Sequence, residues 1–494
     1  MKKKWFVVFL AITLLLTGCS TNKNGAGTES KGENNNSEAT PIVVEDVFSN
    51  RDFKTDYEEN CAYIQLTGTS ATCASNAVEI KDGVITIKDE GTYVISGSLE
   101  NGMIVVAAED TDKTQIVLNG VSIHNDTSAV IYIKQADKVF ITLENGSENT
   151  LSSGDSFQND GEEEIDGVIY SKSDLTLNGK GSLSVKSPAG HGIVSKDDLL
   201  ITGGTYTVDA ATHGLSANDM LGIADGQFTI VSGEDSVHCD VNVYIEAGTF
   251  EINAKDDAFH ADEKLLVCGG KIDVTNSYEG FEALHIEVAG GDIRMVCTDD
   301  GLNAAGGTDS SGFGETGNDQ FGGPGGKPGG QGGRPDGQGG RPGGHGGMGS
   351  GSSDGSIVIS GGTLYIKASG DGIDANGTLE ISGGMITVCG PSQGDTATLD
   401  YDVSGVITGG TFIGTGGQMM AQSFSSSEQG VVAVKVGSQE AGTRITLKDS
   451  NDNVIISYEP ELPYAIVILS SPDIKKGETY TITVGEASGQ FEAQ

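Results

Sequence analysis

A repeat of about 22 residues governs the middle of this chain, and a period of this length means a solenoid, in which each turn hides its apolar side only against its neighbours. Gly204, Gly226, Gly248 and Gly270 follow one another at that interval, and the same beat returns at Gly291, Gly362 and Gly384. Each unit holds three short runs whose apolar residues stand two apart. The first reads Leu199/Ile201, Leu221/Ile223, Val243/Ile245, Leu265/Val267 and Ile286/Val288. The second follows the glycines, as in Tyr206/Val208, Phe228/Ile230 and Phe250/Ile252, and the third reads Leu215/Ala217, Val237/Cys239 and Phe259/Ala261. Alternation with period two marks strands with one buried face. Three strands and three turns per unit predict an all-β parallel β-helix, with like residues stacked about 4.8 Å apart. Leucine-rich repeats of similar length are set aside, because their asparagine ladder and LxxLxL spacing are missing.

Looser copies of the pattern run upstream through Leu175–Gly179, Val139–Leu143, Ile116–Asn119 and Gly91–Gly97, for ten or eleven expected coils. The β-helix is therefore assigned to residues 45–429. The stretch 305–355, rich in Gly and Pro, cannot supply a core and reads as a disordered insertion between adjacent coils. Beyond Gly430 the repeat ends, and residues 430–494 read as a small β cap over an open solenoid end.

At the other terminus, Lys2-Lys3-Lys4 precedes the apolar run Trp5–Leu16, the pattern of an export signal. Leu16-Thr17-Gly18-Cys19 resembles a bacterial lipobox, which implies cleavage before Cys19 and lipid attachment to it. Residues 1–19 are thus a lipoprotein signal and 20–44 a flexible tether. The expected location is extracellular, held to the cell membrane through the lipid alone. Six further cysteines remain after Cys19. Cys61 and Cys73 bracket a short turn and are expected to form a local disulfide.

The net charge of −41 disfavours nucleic acid and anionic membrane surfaces as partners. Much of that charge is ordered by the repeat. Five residues beyond the second strand stand His213, Asp235, Asp257, Glu279, Asp300 and Asp371. Three positions later come His238, His260, Glu282 and Asp374, then Asp240 and Asp262, with Asp256 and Asp299 just before the first column. All are expected to point out of the coil. Carboxylates about 5 Å apart repel by roughly 3 kcal/mol at an effective dielectric of 20. Clustered hard oxygen ligands suit Ca²⁺. The expected metal ligands are Asp235 and Asp240 with Asp256, Asp257 and Asp262; Asp257 with Glu279 and Glu282; and Asp299 and Asp300 with Asp371 and Asp374. The last group can meet only if the glycine-rich insertion loops out. Zinc is not expected, since His238 and His260 lack a matching third His or Cys. These two histidines are read as polar rungs that bond carboxylates or a sugar, with Tyr244 and Tyr278 as outward candidates for sugar stacking.

The phrases Glu90-Gly91-Thr92-Tyr93-Val94-Ile95-Ser96-Gly97, Ile116-Val117-Leu118-Asn119-Gly120 and Ser173-Asp174-Leu175-Thr176-Leu177-Asn178-Gly179 together resemble a bacterial family of carbohydrate-binding domain-containing proteins. Its type member is a clostridial cellulose- and pectin-binding protein. The resemblance spans residues 45–420. It implies a right-handed parallel β-helix with pectate-lyase-like shape, bound calcium and affinity for plant cell-wall polysaccharide.

Three functions follow as expectations. The main one is calcium-dependent binding of polysaccharide, of pectin or cellulose type, by a surface-anchored monomer. The alternatives are a lyase that cleaves uronans by calcium-assisted β-elimination, and an adhesive rod without a specific glycan. A lyase needs a cationic base beside the metal. Lys271 and Arg294 are the weak candidates, and no catalytic residue is assigned.

Overall fold

The computed structural model describes residues 47–58, 61–158, 164–305, 354–391, 394 and 396–494. The export signal, Cys19, the whole tether and nearly all of the glycine-rich insertion lie outside these residues. The described chain is an all-β solenoid of about 13 turns with a repeat near 23 residues, followed by a small separate sheet.

Three parallel ladders run along it. In the first, Leu199, Leu221, Val243, Leu265, Ile286, Ile357 and Leu379 stand opposite one another in turn. Tyr206, Phe228, Phe250, Ile272, Ile293, Leu364 and Ile386 form the matching row of the second. Leu215, Val237, Phe259, Phe281, Leu302 and Ile373 form that of the third. These side chains are almost wholly buried and join one continuous core. Burying one such aliphatic side chain contributes about 2 kcal/mol. In the second row the rings of Tyr206, Phe228 and Phe250 stack at 5.2 and 4.8 Å. The glycine beat has a steric cause. Gly226 has φ +143°, and a Cβ there would press on the ring of Phe228.

The repeat continues across the insertion: Val288 pairs with Ile359 and Leu302 with Ile373. It also extends past the expected coils. Ala62–Gly68 opens the first ladder by pairing with Gly91–Leu99, and Ser404–Ile407 with Thr411–Gly416 add a late coil. The early coil is hidden by its length, since the chain between the partners Ile64 and Ile95 exceeds one regular interval.

Both ends are closed by a change of strand direction. Val78–Lys81 pairs antiparallel with Val84–Ile87. At the far end Tyr464–Ser470 runs antiparallel to Thr411–Gly416 and to Val431–Gln439. The final sheet comprises Val454–Tyr458, Ile445–Lys448, Thr479–Val484 and Ala487–Glu492, with its own core around Leu447, Leu469 and Ile482.

An N-terminal strap, residues 47–57, lies along the outer face of the first ladder. Asp52, 1% exposed, pairs with Lys138 at 2.9 Å and accepts a hydrogen bond from the Thr176 hydroxyl at 2.6 Å. Its carbonyl accepts from Asn178 Nδ2 and Thr202 Oγ1. Arg51 sits 4.0 Å over the Phe140 ring, and Phe48 packs on Tyr244 at 5.9 Å.

Two expectations fail here. Tyr244 does point out of the coil, but the strap covers it to 1% exposure, so it offers no face for sugar stacking. Cys61 and Cys73 are free thiols. The antiparallel register sets Cys73 opposite Ile64 rather than Cys61, so no bridge forms. Cys297 lies in the core at the end of the strand Asp292–Cys297 and is also a free thiol.

Candidate metal-binding ladder

The first polar column occupies the turn before each third-ladder strand, and much of it is buried although it points out of the coil. Asp235 and Asp257 are 5% exposed, Glu279 2% and Asp371 9%. The reason is backbone capping between coils. The amide of Asp257 donates to Asp235 Oδ1 at 3.0 Å, and that of Glu279 to Asp257 Oδ1 at 3.2 Å. The amide of Asp371 donates to Asp300, and that of Ala397 to Asp371. His191 and His213 do the same work with imidazole. The amides of His213 and Asp235 donate to the Nδ1 atoms of His191 and His213, each at 3.2 Å. An Nδ1 that accepts leaves the His213 proton on Nε2. Burial, then the neighbouring histidines, hold its pKa well below the usual imidazole value.

Alongside, four imidazoles stack. Ring centroids of His191, His213, His238 and His260 follow at 5.0, 4.2 and 5.0 Å, within 14° of parallel. His238 is held on both nitrogens, by Asp235 Oδ2 at 2.9 Å and Asp240 Oδ1 at 3.2 Å. Burial works against its charge, but these carboxylates prevail and push its pKa up to about 9. His260 donates from Nδ1 to Glu282 Oε2 at 2.6 Å, faces Asp257 at 3.4 Å, and reaches Asp262 through Nε2 at 3.1 Å. Burial opposes its charge as well, yet hydrogen bonds with Asp257, Asp262 and Glu282 prevail and raise its pKa. Both expected rungs thus bond carboxylates.

From Glu279 onward the arrangement changes. Asn303 Nδ2 donates to Glu279 Oε1 at 3.0 Å, and burial followed by Asp257 and Glu282 raises the Glu279 pKa. Asp300, Asp371 and Asp374 then converge from two successive coils, with oxygens within 4.8 Å of one another. Burial first, then neighbouring carboxylates, push their pKa values up to about 8, 7 and 6. Gly370 makes room for this: a Cβ there would run into the carboxylates of Asp299 and Asp300.

Of the expected ligand sets, Asp235 with Asp256 and Asp257, and Asp300 with Asp371 and Asp374, are brought together. Asp257 and Glu282 meet with His260 between them. Asp240 and Asp262 turn instead to the outer nitrogens of His238 and His260, and their side chains stay about half exposed. Asp299 stays beside the last cluster and bonds the Tyr278 hydroxyl, so Tyr278 is tied to the acidic column. Lys271 and Arg294 stand apart from it on the outer face of the second ladder, where Arg294 lies 3.7 Å from Asp273 and over the Tyr365 ring.

Sequence reasoning missed two groups. His213, Asp235 and His238 lie within ligand distance of one another, so a third donor does accompany the histidines. Parallel rings, however, aim their lone pairs side by side, whereas a tetrahedral ion needs them to converge. Asp174, Asp197 and Asp198 form another cluster, with Asp198 raised to about 6 by burial and then by Asp174. The doublet Asp197-Asp198 before a first-ladder strand is the signal that could have found it.

Known proteins resemble parts of this chain. A protein from Acetivibrio thermocellus described as carbohydrate-binding domain-containing is 36% identical over 137 residues, which is 27% of this chain and 48% of that relative. The chain therefore spans about half the length of the relative it matches. The solved structure of a polysaccharide lyase-like protein from C. thermocellum, a gadolinium derivative, aligns with 49% of this chain and 96% of its own at 29% identity and a TM-score of 0.40. Over residues 81–316 the chain matches the family model described as carbohydrate-binding domain-containing protein, and on a β-solenoid it carries clusters of Asp, Glu and His capable of holding a metal ion.

Proposed function

We propose that this protein binds acidic cell-wall polysaccharide of the pectin type through Ca²⁺ held by Asp300, Asp371 and Asp374. The observation that carries this reading is the convergence of three largely buried carboxylates from adjacent coils. Their donor set is oxygen only, which suits a hard cation. The glycine at position 370 keeps the space beside them open. When bound, the ion supplies open coordination positions to a uronate carboxylate. The chain's own residues hold that charge in place and otherwise repel an anionic glycan, because the full chain carries −41. The match of residues 81–316 to carbohydrate-binding domain-containing proteins supports a glycan as the ligand class. The sequence Leu16–Cys19 supports export and anchoring through a lipid on Cys19.

Binding of polygalacturonate and of cellulose, with calcium and with EDTA, tests the reading. Calcium-dependent retention on polygalacturonate, lost in Asp300→Asn, is expected. Equal retention in EDTA, or no calcium uptake by calorimetry, overturns it. The same incubations read the lyase alternative directly, as absorbance of unsaturated uronate products. The ion pairing of Arg294 with Asp273 weighs against that alternative.

A further inference from the structure

Between the strap and the solenoid lies a cavity of about 410 Å³ that the acidic column does not reach. One wall is the strap, through Thr55, Asp56 and Tyr57; the other is made by turns of two successive coils, through Glu144, Asn145 and Lys180. The turns stack closely because Gly179 has φ +109° and pairs directly with Leu143. A side chain at Gly179 would collide with the Leu143 carbonyl. Tyr57 donates its hydroxyl to Glu144 Oε2 at 2.6 Å, and the Asn145 amide donates to Glu144 Oε1 at 3.1 Å. The carboxylate is thereby fixed from both sides, and each oxygen retains a lone pair for a further donor.

The chemistry of this wall is specific. A phenol ring offers an apolar face, a fixed carboxylate accepts hydroxyl protons, and an amide and an ammonium donate. The cavity falls within the size range of small-ligand sites. Two carboxylates against one ammonium leave a local negative excess, which repels a uronate and tolerates an uncharged sugar. Resting on the reading of this protein as a glycan binder, we propose that the cavity is a subsite for one neutral pyranose unit, operating without a metal ion.

Titration of the full chain with cellotetraose, galactotetraose and tetragalacturonate in EDTA tests it. Saturable binding of a neutral tetrasaccharide is expected, unchanged when calcium replaces EDTA. Tyr57→Ala and Glu144→Gln each weaken it about tenfold, equivalent to ~1.4 kcal/mol. Lys180→Ala does so from the solenoid wall without touching the strap, and an unchanged melting temperature in that variant excludes unfolding as the cause. Failure of both neutral tetrasaccharides to bind, or binding indifferent to all three substitutions, overturns the proposal. If only these fail while calcium-dependent retention of polygalacturonate persists, the cavity proposal falls alone. If cavity binding persists and calcium dependence does not, the metal reading falls alone.

Discussion

Between His191 and Asp262 the carboxylates of the ladder meet imidazoles, whereas between Glu279 and Asp374 they meet chiefly one another. The two stretches share a backbone, a register and a capping pattern. They differ in what balances the charge. In the first, His238 and His260 each bridge carboxylates from both ring nitrogens, so the column carries its own counter-ions. In the second, the partly buried Asp300, Asp371 and Asp374 are held toward the protonated form. One geometry thus yields a segment whose carboxylates are partly balanced by imidazolium and a segment whose carboxylates chiefly face one another. Carboxylate count alone does not set the local balance of charge; the identity of the adjacent rung does.

The comparison breaks most visibly at His260. His260→Asn leaves Asp257, Glu282 and Asp262 without their shared cation and should cost about 3–5 kcal/mol, read as a fall in melting temperature by calorimetry. Recovery of that loss by calcium would show that the two stretches are interchangeable. The reverse change, Asp300→Asn in EDTA, removes an ill-tolerated, partly buried charge. It should stabilise the protein by about 2 kcal/mol at pH 8 and abolish the rise in melting temperature on adding calcium.

The same group sets a pH dependence. Folding raises the Asp300 pKa to about 8 from an ordinary 3.8, so the folded state holds the proton more tightly. Its contribution is favourable below about pH 4 and is lost as pH rises toward 8. The melting temperature in EDTA should therefore fall over that window, with a shallower slope in Asp300→Asn. The smallest effect belongs to the capping itself. His213→Ala removes one acceptor for the Asp235 amide and should cost about 1 kcal/mol, measurable as faster amide exchange at Asp235.

The regular coils were legible because their register is written in residue spacing: Leu221, Val243 and Leu265 are neighbours at the positions their interval requires. Alternation also assigned inside and outside correctly. It could not tell what covers the outside. Tyr244 lies beneath Phe48, which arrives from far upstream in a segment with no period of its own. Asp235 and Asp257 face away from the core yet are buried, because the next coil's amide closes over each of them. His213 shares a column with carboxylates because an imidazole nitrogen accepts the same hydrogen bond, a role that spacing does not show. Asp174 and Asp198 escaped notice because the interval between the partners Leu175 and Leu199 is longer than in the regular coils.

The strap has a mechanical consequence. Its first described residue, Val47, meets the rod at Gly222, on the flank and several coils from either end. A pull arriving through the N-terminus would load the Phe48, Asp52 and Tyr57 contacts one after another, as tape lifts from a surface, before reaching the opening strand at Ala62. The stacked coils would feel that force sideways, across the ladders, so the strap would yield first and spare the coils beneath it.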